Sequence, residues 1–87
     1  MNELYISGKD LKDYALSHKW TLVDEALKEG MFLLNSPFGD YEQISFPTDD
    51  AKSYFQKLAK LSVQTLSEVH KIPFNDVVNA IRAIKKQ

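Results

Sequence analysis

Met31-Phe32-Leu33-Leu34-Asn35-Ser36-Pro37-Phe38-Gly39-Asp40-Tyr41-Glu42-Gln43-Ile44-Ser45-Phe46-Pro47 reads as two strands around one turn. Met31 to Asn35 is a short apolar run of the length of a buried strand. Pro37-Phe38-Gly39-Asp40 is turn chemistry, because proline presets φ and glycine supplies positive φ without a steric cost. From Tyr41 to Phe46 the pattern alternates, with Ile44 and Phe46 on one face and Gln43 and Ser45 on the other. Pro47 closes the run. These residues predict an antiparallel hairpin.

Upstream, Trp20-Thr21-Leu22-Val23 is rich in strand formers and supplies a third strand. Between it and the hairpin, the polar stretch from Asp24 to Gly30 fits either a loop or one helical turn. The chain before Trp20 predicts a helix starting at Ser7, with Ser7 as the cap and Asp10 able to complete a shortened capping box. Ile6 and Leu11 have the spacing of a hydrophobic staple. Leu11, Tyr14, Ala15 and His18 then share one helical face. Asp10 and Asp13 suit the positive end of this helix and Lys19 the negative end.

Downstream, a long helix is expected from about Asp49 to His70, capped by Thr48 or Asp49. Tyr54, Phe55, Leu58, Ala59, Leu61, Thr65, Leu66 and Val69 fall on one broad arc, with Lys52, Gln56, Lys57, Lys60 and Gln64 opposite. A last helix begins at Pro73, a favoured first helical position, with Phe74, Val77, Val78, Ile81 and Ile84 as its apolar stripe. The prediction is an α+β fold: a three-stranded antiparallel sheet packed with helices in the order α-β-β-β-α-α, one domain over residues 1–87.

Composition narrows the chemistry. A chain of 87 residues with 44% hydrophobic side chains buries about 60–65% of its unfolded surface, enough for one core and not for separate substrate and cofactor domains. Without cysteine there is no disulfide framework, thiolate zinc site or thiol nucleophile. Three scattered glycines, Gly8, Gly30 and Gly39, build no phosphate-cradling loop. The N-terminal residues lack the basic and apolar regions of a secretory signal, and the longest apolar run, Met31 to Leu34, is far short of a membrane span, so a cytoplasmic protein is expected. No cofactor is expected.

His18 and His70, far apart in sequence, both read as structural. A Ser67-His70-Asp76 set can be drawn on paper, but nothing in the pattern suggests a pocket for it. Asp49-Asp50, and Asp24-Glu25 with Glu29, could each hold a cation; helix capping and a solvated turn explain them more simply. Trp20, Tyr14, Phe32, Phe46, Tyr54 and Phe55 sit at core spacing. Phe38 and Tyr41 flank the turn and are candidates for a partner contact.

The net charge of −1 hides a division. Residues 1–50 carry four lysines against ten carboxylates, a net of −6, and residues 51–87 carry seven basic against two acidic side chains, a net of +5. Such asymmetry points to partner binding. The expected function is a non-enzymatic protein-interaction or regulatory module, such as an antitoxin or accessory subunit. It would form a homo-oligomer or bind a second protein through the last helix's stripe of Phe74, Val77, Val78, Ile81 and Ile84, with Leu66 and Val69 beside it. The alternative is weak nucleic-acid binding through Lys52, Lys57, Lys60, Arg82, Lys85 and Lys86, which would be sequence-independent and salt-sensitive.

Two resemblances bear on these expectations. The α-β-β-β-α order resembles the double-stranded-RNA-binding fold. Where that fold carries a basic cluster at the start of its last helix, this chain has the acidic Pro47-Thr48-Asp49-Asp50-Ala51-Lys52. The second covers nearly the whole chain: Leu11-x-x-Tyr14-Ala15, Trp20, Phe32-x-x-Asn35-x-Pro37, Ile44-x-Phe46-Pro47-x-Asp49, Tyr54, Leu66-Ser67-Glu68 and Val77-Val78. This pattern resembles the N-terminal segment of a group of poorly characterised bacterial proteins. Those typically show glycine where Lys19 stands here and a Glu-Gly-Arg turn where Val69-His70-Lys71 stands. The resemblance implies a module usually joined to something else and acting with a partner, and it carries over no catalytic residue.

Overall fold

The computed structural model describes residues 6–39 and 41–84. Its elements run α1 (Gly8–Ser17), β1 (Thr21–Leu22), α2 (Asp24–Leu27), β2 (Met31–Asn35), β3 (Gln43–Pro47), α3 (Phe55–His70) and α4 (Phe74–Ile84). The expected α+β architecture is present, and the open stretch after β1 forms one helical turn, α2. Asp40 of the predicted turn, the N-terminal residues read for a signal, and Lys85 and Lys86 lie outside the described residues.

The three strands lie in sequence order and are antiparallel throughout. Phe32 pairs with Phe46 and Leu34 with Ile44, while Leu22 pairs with Leu34 from the other side. Leu34, Ile44 and Phe46 are buried, so the alternation seen in the sequence does set the inner face. One continuous cluster joins these residues to Leu11, Tyr14 and Ala15 of α1, Phe55, Ala59, Val63 and Leu66 of α3, and Val77, Val78 and Ile81 of α4.

The outer edge of β3 is closed by two devices. The Ser36 N–H donates to the Glu42 carbonyl and the Thr48 N–H to the Gly30 carbonyl. By the alternation of an antiparallel ladder, Gln43, Ser45 and Pro47 therefore turn their backbone groups away from β2. Pro47 has no N–H to offer there, and the Ser62 hydroxyl of α3 donates to the Ser45 carbonyl at 3.4 Å. The other edge, β1, is only two residues long.

Both ends of α1 are tied down. Ser7 caps it as expected, its Oγ accepting from the Asp10 N–H at 3.0 Å. The Asp50 carboxylate accepts from the Gly8 N–H at 3.3 Å. This corrects the expected long helix. Residues 50–54 form turns, α3 starts at Phe55, and Asp50 serves the positive end of α1 rather than that of its own helix. Gly8 sits at a close approach: a Cβ there would lie 3.3 Å from the Pro47 carbonyl oxygen and 3.4 Å from the Phe55 ring, so those neighbours would have to give by a few tenths of an ångström. Tyr54 and Leu61, expected in the core, are each 49% exposed, because the sheet covers a narrower arc of α3 than periodicity suggests, and Val63 is buried instead.

Candidate functional site

Two helices end at the same place. His18 caps the C-terminus of α1 and His70 is the last residue of α3. Each is followed by a lysine in the left-handed conformation, Lys19 at φ 74° and Lys71 at φ 58°, which turns the chain sharply away. The two imidazoles, fifty-two positions apart in sequence, come to lie with ring centroids 5.0 Å apart.

Aromatic side chains enclose the pair. Tyr14, one turn back on α1, meets His18 edge-on at 4.3 Å. Trp20, 2% exposed, lies in the turn between α1 and β1, and its indole Nε1–H donates to His70 Nε2 at 2.8 Å. Indole is a donor only, so His70 Nε2 carries the lone pair and the neutral ring holds its proton on Nδ1. Phe38, from the β2–β3 loop, rests edge-on against the other side of His70 at 5.6 Å. His18 Nε2 is buried with no hydrogen-bond partner. Burial, and secondarily the neighbouring His70, hold His18 below the usual histidine pKa. Burial also raises the Tyr14 phenol above its ordinary value.

The loop above this cluster carries the most exposed aromatic side chains among the described residues. Phe38 is 62% and Tyr41 98% exposed, and Tyr41 holds φ at 63°. Gly39, at φ 68°, supplies the turn between them. At the loop's base the Gln43 side-chain amide donates to Asn35 Oδ1 at 2.6 Å, bracing the strand ends.

Comparison of the chain with protein-family models, with curated proteins and with solved structures finds no match. The reading of this site rests on its own geometry.

The side chains expected at a partner interface lie elsewhere than foreseen. Leu66, Val77, Val78 and Ile81 are buried in the chain's own core, and Val69, Phe74 and Ile84 are half-buried against it. The stripe of α4 faces α1 and α3, where Val77, Val78 and Ile81 complete the core. Lys52, Lys57 and Lys60 are exposed, and none has an ion pair among the described residues. Arg82 is exposed on α4, flanking the core stripe one turn after Val78.

The paper triad does not assemble, because the Ser67 hydroxyl donates to the Ile72 carbonyl at 2.6 Å and His70 is engaged by Trp20. Asp49 accepts from the Ala51 N–H within the turn before α3, so neither it nor Thr48 caps that helix as expected, and Asp50 accepts from the Gly8 N–H at the start of α1. Among the described residues no three of His, Cys, Asp and Glu group as metal ligands, and no helix is long and apolar enough to cross a membrane. Sequence reasoning placed both histidines singly and missed their meeting. The repeated His-Lys pair at the two helix ends, with Trp20 just beyond the first, is the signal that could have indicated it.

Proposed function

We propose that this chain is a non-enzymatic protein-interaction module that meets its partner with the β2–β3 loop. The observation that carries this reading is the near-complete exposure of Tyr41 beside Phe38. Leaving an aromatic side chain in water forfeits about 1.5–3 kcal/mol of burial. Holding tyrosine at positive φ costs about a further 1–2 kcal/mol. Buried tyrosine and tryptophan anchors dominate protein interfaces, which gives an exposed tyrosine at a loop tip a ready role. A photoreactive phenylalanine analogue at position 41 should give one adduct in cells, and the purified adduct partner should bind the chain. Phe38→Ser should then weaken that binding at least tenfold while lowering the unfolding midpoint only slightly. No adduct, or binding indifferent to Phe38→Ser, would overturn the reading.

One observation favours a second reading. The unpaired, exposed Lys52, Lys57 and Lys60 suit a weak contact with nucleic-acid phosphates. Fluorescence anisotropy with a short labelled duplex should show binding at low salt that fades at physiological salt. Absence of binding at low salt removes this alternative.

A further inference from the structure

We propose that His18 and His70 form a proton-operated latch under the β2–β3 loop: with both rings neutral, His70 is pinned by Trp20 and seats Phe38, and a proton on His70 Nε2 unpins that ring and moves Phe38. This inference rests on the loop as the contact surface and concerns how that surface is regulated.

The chemistry is set by one hydrogen bond. The Trp20 Nε1–H has no alternative role to donor, so its 2.8 Å contact to His70 Nε2 exists only while that nitrogen is unprotonated. An imidazolium at His70 would bring two N–H groups nose to nose, and one ring must turn. His18 adds to the effect. Its Nε2 is buried without a partner among the described residues, and its ring lies 5.0 Å from His70, so a charge on His70 disfavours one on His18.

From α1 come Tyr14 and His18 itself, and from the turn after it the exposed Lys19. The end of α3 contributes His70, the exposed Lys71 and the exposed Glu68, and the hairpin loop contributes Phe38 and the exposed Glu42. No carboxylate forms an ion pair with either imidazole among the described residues. The carbonyl ends of α1 and α3 do favour a cation at this place. Burial of His18 opposes them, and its lowered pKa gives the direction in which the balance falls.

Phe38 is the link to the surface. Its ring touches His70 edge-on, while most of it faces solvent. When His70 turns, the support under Phe38 is withdrawn, and the aromatic loop tip is presented differently. Histidine is suited to such a device because its charge changes near neutral pH.

The test uses the isolated chain and nuclear magnetic resonance between pH 7.5 and 5. The Trp20 indole N–H and the Phe38 ring signals should shift together through one transition, while core methyl signals of Val63 and Ile81 stay in place. His70→Gln offers a carbonyl oxygen to Trp20 and does not titrate, so it should abolish the Phe38 shift. A Phe38 signal that ignores pH while Trp20 titrates, an indole signal that ignores pH, or a Phe38 shift that persists in His70→Gln would each overturn the latch. Loss of the core signals at the same midpoint would overturn it too, by showing general unfolding instead. Should His70→Gln fail to fold, co-titration in the unmodified chain still decides. None of these readouts involves a partner, so failure of the crosslinking experiment at position 41 is distinguishable from failure of the latch.

Discussion

Trp20 and His70, fifty residues apart, share a 2.8 Å hydrogen bond that joins the turn after α1 to the end of α3. Removing the acceptor leaves a buried indole N–H with nothing to bind, at a cost of about 1–3 kcal/mol. His70→Ala should therefore lower the urea midpoint clearly, and His70→Gln much less. In Trp20→Phe the donor is already gone, so adding His70→Ala should cost less than it does in the unmodified chain. Equal losses for His70→Ala and His70→Gln would show that packing, not the hydrogen bond, is what the site supplies.

His18 makes stability depend on pH, with a definite sign. Its folded-state pKa lies below the ordinary value of 6.5, so the unfolded chain binds the proton more readily. The contribution of neutral, half-buried His18 is complete above about pH 6.5 and falls away as pH drops from there through the folded-state pKa. His18→Phe keeps a ring in place without the unpartnered nitrogen. Urea denaturation at pH 7.5 and pH 5 should give a smaller difference for this variant than for the unmodified chain. An unchanged difference would assign the pH dependence to other groups.

Lys19 and Lys71 occupy left-handed positions at the ends of α1 and α3. A residue with a Cβ costs about 1–2 kcal/mol there, and glycine costs almost nothing, which is why glycine so often ends helices. Lys71→Gly and Lys19→Gly should each stabilise the chain by about 1 kcal/mol in thermal unfolding, less what glycine adds to the entropy of the unfolded state. A lowered midpoint would mean that a lysine stem packs usefully at that turn.

The hairpin was legible because alternation and turn chemistry act within a few residues: Ile44 and Phe46 against Gln43 and Ser45 can be read without knowing anything distant. The cap at Ser7 was legible for the same reason. The true start of α3 was not, because Asp50 is drawn to the Gly8 N–H of α1, forty-two positions away. Nor could the width of the buried arc be read from periodicity, which ranks Tyr54 and Leu61 with Phe55 and Leu66 until the sheet's position is known. The histidine pair is the extreme case: each imidazole sits at an ordinary helix end, and only the convergence of α1 and α3 makes the two a site.

The stripe of α4 gives the sharpest contrast between sequence expectation and structure. Had Val77 and Ile81 faced solvent, truncating them would leave the folded chain intact and weaken only a partner. Both are fully buried instead, against α1 and α3. Ile81→Ala removes three carbons from that packing and should destabilise the chain by about 2–5 kcal/mol. Val77→Ala, a smaller truncation in the same cluster, should cost less. Asn79→Ala, on the exposed side of the same helix, should stay within about 0.5 kcal/mol. Urea denaturation of the three variants settles the orientation of α4. A tolerated Ile81→Ala accompanied by a change in oligomeric state would return the stripe to the surface and make it an interface after all.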